Sequence, residues 1–243
     1  MNLILLFDSD FITPTRVRLT DRRLEHIKEI LKAKMGQELT VGKANDLMGH
    51  GVIIEQKNDY VELEVKFDKK PPKILPLTLI LALPRPPMLK RILFSAAMLG
   101  LKKIIILNFN RVEKSLWNSS ALKDEAIKEQ LVLGLEQAKD TVLPEVILKK
   151  RFKPFVEDEL PGLIKGKLAL VAHPEKVVTG TTFLIDLKKS CACHDFFLII
   201  GPEGGILDYE IDFLKSAGCQ TIDLGPRIIR TEFVLPYVIG KLF

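Results

Sequence analysis

The sequence predicts an α/β protein in two parts, a small β-barrel followed by a three-layer α/β sandwich. Three observations predict it. Short alternating apolar segments are confined to the first 70 residues, prolines cluster directly after them, and continuous apolar runs separated by helical stretches fill the rest.

In the first part, Gln37-Leu39-Val41, Val52-Ile54 and Val61-Leu63-Val65-Phe67 place apolar residues at every second position, with charged residues between them in the last segment. That period suits strands buried on one face. Between Thr20 and Lys34, Leu24, Ile27, Ile30 and Leu31 fall at helical spacing and Asp21 is a suitable N-cap, so one helix is expected over a barrel end. The apolar opening Met1 to Phe7 is cut short by Asp8 and Asp10 and has no basic region before it, which argues against a signal peptide.

Pro71, Pro72 and Pro76 then stiffen the chain, because proline fixes φ and withholds a backbone donor. The boundary is expected there, giving domains 1–72 and 73–243. Beyond it, Leu77 to Leu83, Ile104 to Leu107, Leu168 to Ala172 and Phe196 to Ile200 read as parallel strands covered on both faces. Helices are expected at roughly 88–99, 119–139, 154–164 and 208–217. In the first of these, Leu89, Ile92, Leu93, Ala96, Ala97 and Leu99 form the apolar face and Gly100 supplies the stop.

Composition bounds the function classes. Lys and Arg number 36 against 31 Asp and Glu, a net charge of +5, mild but compatible with an RNA partner. Cys191, Cys193 and Cys219 lack the paired spacing of a zinc site and read as reduced thiols of a cytoplasmic protein, with no metal expected. The run at 77–83 is too short to cross a bilayer, so no membrane segment is expected.

Chemistry concentrates at strand ends. Ile199-Ile200-Gly201-Pro202-Glu203-Gly204-Gly205 carries a buried strand into a turn of glycines with one carboxylate, where a ligand can touch the backbone, and Asp208 can cap the next helix. The same turn could simply connect two elements, and it is neither a dinucleotide fingerprint nor a P-loop. Asp223 to Glu232 follows another short strand and sets Arg227, Arg230 and Glu232 beside a helix N-terminus, which favours an anionic or polar ligand. A capping box on Thr231 flanked by surface arginines is the alternative. His173-Pro174 follows a third strand. All three segments lie past carboxyl ends of strands, where one pocket would collect them.

Ile200 to Gly205 (IGPEGG) and Leu224 to Glu232 (LGPRIIRTE) resemble the signature motifs of the RsmE family, in their order and spacing. His173-Pro174, Gly134-Leu135-Glu136-Gln137, Leu143-Pro144-Glu145 and Leu99-Gly100 support the resemblance over most of the chain. It implies a PUA-like β-barrel followed by a SPOUT domain with a C-terminal trefoil knot. It further implies S-adenosyl-L-methionine (SAM) bent among three loops. Carried over, these are His173 and Pro174; Ile200, Gly201, Pro202, Gly204 and Gly205; and Leu224, Gly225, Arg227 and Ile229. A homodimer with its active site near the subunit interface, 16S rRNA of the small ribosomal subunit as partner, and methylation of uridine N3 are also implied. The chain departs from the family pattern at Met98, where Glu is usual, at Ala138 to Thr141 including Asp140, where an arginine is usual, and at Phe233, which is bulkier than usual.

Uridine N3 bears a proton at neutral pH, so its methylation needs a base. Arg230 is the candidate to stabilise the uracil anion or position a phosphate, and Glu232 or Glu203 to accept the proton directly or through water; the alternative for either carboxylate is to hold backbone amides or the dimer partner. Arg16, Arg18, Arg22 and Arg23 form either a phosphate-gripping patch or ordinary solvated charge. A SPOUT enzyme with another RNA target and a non-catalytic RNA-binding relative are the remaining readings.

Overall fold

Alternation in the N-terminal segment builds the first sheet of the computed structural model, which describes residues 2–174 and 195–243. Its strands are β1 (Ile4–Leu6), β2 (Phe11–Thr13), β3 (Arg16–Leu19), β4 (Glu38–Lys43), β5 (Met48–Gln56) and β6 (Val61–Lys69), ordered β1-β4-β5-β6-β3-β2. β1 joins β4 in parallel and every other pairing is antiparallel. Val17, Leu19, Val41, Ile53, Val61 and Leu63 face a common core. Gly49 sits where β5 shifts register on β6, and a Cβ there would collide with the Lys66 carbonyl.

Asp21 does cap a helix, accepting the Arg23 amide at 2.9 Å. The helix α1 (Arg22–Glu25) then widens into a π turn, His26–Ile30, closed by the Leu31 amide on the His26 carbonyl at 2.9 Å. The extra residue rotates the later positions away. Leu24 and Ile27 are buried as the spacing predicts, whereas Ile30 and Leu31 are exposed, contrary to it.

The chain divides into two compact units, 1–73 with 131–143, and 74–130 with 144–243. Residues 131–143, placed in the second domain by the sequence reading, belong to the first unit. Their ties are specific: the Asn2 and Leu3 amides both donate to the Glu136 carbonyl at 3.0 Å, and Arg22 meets the buried Glu136 carboxylate at 2.9 Å. Asp140, one of the departures from the family pattern, is buried and accepts the Thr141 and Val142 amides at 2.7 and 3.0 Å.

The second unit holds a parallel sheet of β7 (Leu77–Ala82), β8 (Lys103–Leu107), β9 (Glu145–Lys149), β10 (Leu168–Ala172), β11 (Phe196–Ile200) and β12 (Gln220–Ile222). Their order is β12-β10-β11-β7-β8-β9. Leu79, Ile80, Leu81, Leu198 and Ile199 are all fully buried, which is why β7 and β11 read as continuous apolar runs. β9 is a partly exposed edge strand whose apolar run, Val146 to Leu148, is only three residues long.

Among the described residues, the α-helices of this unit are α2 (Pro86–Met98), α3 (Asp124–Ala138, which ends in the first unit), α4 (Phe152–Pro154) and α5 (Leu160–Ile164). α4 and α5 are joined through a π turn, Phe155–Glu159; α6 (Asp208–Ser216) and α7 (Thr231–Leu242) follow. In α2, Leu89, Ile92, Leu93, Ala96 and Ala97 are buried, and Gly100 leaves the helix at φ +88. Among the described residues no helix is long and apolar enough to cross a membrane. Cys219 is buried; Cys191 and Cys193 lie outside the described residues.

Candidate active site

Strand order brings the three motifs together. β12, β10 and β11 are adjacent and parallel, so the residues that follow them emerge side by side at one end of the sheet. The His173 amide donates to the Ile222 carbonyl at 3.0 Å, tying the residue after β10 to β12.

After β11, the Gly205 amide closes a turn on the Pro202 carbonyl at 2.8 Å, with Gly205 at φ +81. A Cβ on Gly201 would strike the Ile206 side chain. After β12, Gly225 takes φ +117 and its amide donates to Asp223 Oδ1 at 2.9 Å, while the Tyr237 hydroxyl donates to the Leu224 carbonyl at 3.1 Å. The turns are held from behind by protein bonds and present backbone and apolar edges to one cavity of about 1200 Å³.

Every residue carried over for cofactor binding lines that cavity, from His173 and Pro174 through Ile200 to Gly205 and on to Ile229. So do Glu203, Arg230 and Glu232. The two glutamates differ. Glu232, in the first turn of α7, is 8% exposed; among the described residues its Oε1 has no hydrogen-bond partner, and it stands 4.0 Å from Arg91 Nη1. Glu203 is exposed and accepts the Arg85 amide at 3.4 Å. Arg230, also exposed, occupies the N-cap position of α7 without a side-chain cap bond, so the capping box on Thr231 is not what the chain builds.

Asp208 does not cap α6 either. It is the first helical residue, and the fully buried Glu210 does the work: Oε2 accepts the Leu207 amide at 3.0 Å and Oε1 accepts the Asn110 amide at 2.8 Å. The signal for this was the glutamate three residues past Leu207.

A further wall went unread in the sequence. Leu83, Arg85, Pro87 and Met88, at the exit of β7 and the start of α2, and Arg111, Val112, Glu113 and Leu116, after β8, also line the cavity. Arg85 pairs with Glu113 at 3.2 Å, and Trp117 Nε1 donates to Asn108 Oδ1 at 2.7 Å to shape the second segment. The available clue was position: both segments follow carboxyl ends of buried strands.

Among the four arginines expected as a phosphate patch, Arg23 needs correction. Arg23 is 5% exposed, bonded to Asp10 at 2.7 Å, to Asp21 at 2.8 Å and to the Leu5 carbonyl at 2.7 Å. Burial opposes its charge, but the bonds from the two carboxylates outweigh burial and raise its pKa. It is a structural ion, closed to RNA. Arg22 is engaged by Glu136, and Arg16 and Arg18 share the buried Glu62 at 3.5 and 2.6 Å. The side chains of Arg16, Arg18 and Arg22 remain 51%, 49% and 41% exposed.

This chain is similar to Ribosomal RNA small subunit methyltransferase E of Treponema pallidum, at 27% identity over 235 residues covering 96% of this chain and 86% of that protein. To Ribosomal RNA small subunit methyltransferase E 1 of Borreliella burgdorferi it is 28% identical over 233 residues, 96% of this chain and 93% of that one. The crystal structure of a Ribosomal RNA small subunit methyltransferase E from Neisseria gonorrhoeae bound to S-adenosyl methionine has the same fold. Its TM-score is 0.73 at 17% identity, with 99% of this chain and 95% of that one covered. Residues 70–241 match the family model of the RNA methyltransferase domain, and since that is most of the sequence, the chain belongs to this RNA methyltransferase family.

Proposed function

We propose that this protein is a SAM-dependent methyltransferase that modifies N3 of a uridine in 16S rRNA of the small ribosomal subunit, in the cytoplasm. One observation carries the reading: the segments that follow three adjacent parallel strands, two of them bending at motif glycines, line a single cavity. The names of the relatives in Treponema and Borreliella support the ribosomal substrate. We read the second unit as a SPOUT domain with a C-terminal trefoil knot and the first as a PUA-like RNA-binding domain. The strongly exposed Ile228 and Phe233 favour a second copy of the chain docking beside the cavity as a homodimer.

The cavity suits the cofactor. Backbone groups at 200–205 and 224–229 can hydrogen-bond an adenine edge while Ile200, Leu224 and Ile229 cover its faces. Bound SAM would supply a methyl group on a sulfonium leaving group. The protein's part is alignment and proton removal. Glu232 is the better base, because it is buried, lines the cavity and, among the described residues, keeps one oxygen free of hydrogen bonds. Glu203, exposed and turned to a backbone amide, holds the α2 entry instead. Arg230 stabilises the charge that develops on the uracil oxygens.

Calorimetric titration with SAM, followed by incubation with unmodified small subunits and nucleoside mass spectrometry of the 16S rRNA, tests both halves. Binding together with 3-methyluridine is expected. Absence of heat overturns the cofactor, and binding without that nucleoside overturns the target.

A further inference from the structure

Arg111 belongs to none of the sequence motifs, yet it touches the most informative of them. It stands past the end of β8, exposed to solvent, and its side chain folds back over the turn after β11. Nη1 donates to the Gly204 carbonyl. A Cβ on Gly204 would meet Arg111 Cδ at 3.3 Å and Cβ at 3.5 Å. Gly205 is explained by its φ of +81, but Gly204 has no positive φ, so what its missing side chain makes room for is the arginine. The preceding residue is tied to the same turn from behind, since Glu210 bridges the Asn110 and Leu207 amides at 2.8 and 3.0 Å. Asn110 and Arg111 thus grip both ends of the 204–207 stretch.

We infer that Arg111 is a positioning residue for the cofactor: it clamps the Gly204 carbonyl and so holds the 201–205 turn in the shape that receives SAM. This rests on reading the cavity as a SAM site. The guanidinium donates while the methylene stem packs over the glycine, and the two contributions separate by substitution.

Arg111→Met keeps the stem and removes the donor; Arg111→Lys keeps a cationic donor. With R111M, the calorimetric Kd for SAM and the KM for SAM should rise about tenfold, the scale of one lost charge-assisted hydrogen bond, while kcat at saturating SAM and KM for the ribosomal substrate stay unchanged. R111K should recover most of the affinity. Unaltered SAM affinity in R111M, or a loss confined to KM for RNA, overturns the clamp and makes Arg111 a substrate contact or plain surface. A wild-type chain that binds no SAM overturns the reading of the cavity itself, and the clamp with it.

Discussion

Glu210 should be the most expensive carboxylate to remove from the second unit. Its side chain is fully buried, and its two oxygens accept the Asn110 amide at 2.8 Å and the Leu207 amide at 3.0 Å. Glu210→Ala strands both donors, which lie partly buried. An unsatisfied buried donor costs about 1–3 kcal/mol, so taking both at the lower end gives roughly 2 kcal/mol. For a unit of this size that corresponds to a fall in Tm of about 4–8 °C. Glu210→Gln retains one acceptor oxygen and should fall between. Urea denaturation and scanning calorimetry read the loss directly, and SAM affinity should drop with it because Leu207 follows closely on the 201–205 turn proposed to receive SAM. A loss under about 1 kcal/mol for E210A would refute the reasoning, since solvent would then be replacing both bonds at no cost.

Glu232→Gln, nearly isosteric, should leave SAM affinity within a few-fold and reduce kcat by about 100-fold or more, the ordinary contribution of a positioned base; single-turnover methylation measures it, and undiminished turnover removes Glu232 from the chemistry. In the first unit, burial raises the pKa of Glu136 against the opposing pull of Arg22. A carboxyl whose folded pKa lies above its unfolded value stabilises below the unfolded pKa and loses that contribution as pH rises through the folded one. Chemical denaturation across the acid range should show this decline in the wild type and a flatter profile in Glu136→Gln; identical slopes would contradict it. Burial also pushes the Cys219 thiol up to about 12, so peptide mapping after iodoacetamide at pH 8 should find Cys219 unlabelled in the native protein and labelled once unfolded.

What the sequence reveals and what it hides divide along a physical line. β7, β10 and β11 are legible because strands covered on both faces must be apolar throughout, and the motifs are legible because their glycines and prolines sit where those runs stop. Edge strand β9, partly exposed, leaves a run of only three residues, and the π turn at His26–Ile30 breaks the helical period that promised a longer apolar face.

The hidden parts of the site are those made by distant partners. Arg111 meets Gly204 across 93 residues and Glu210 meets Asn110 across 100, and neither pairing has a local period or spacing to announce it. Arg23 misleads for the same reason. Read along the chain it is one of four clustered cations, but its meaning is set by Asp10, thirteen residues earlier, and by the loss of solvent around both. A charge becomes a nucleic-acid contact only where its carboxylate partners leave it free, and strand order decides that. In the second unit Arg227 and Arg230 stand at the cavity, whereas Arg85 is paired with Glu113 and Arg111 with the Gly204 carbonyl. Phosphate recognition by that unit should therefore be sought at the cavity mouth, where solvent-facing guanidinium groups stand closest to the proposed chemistry.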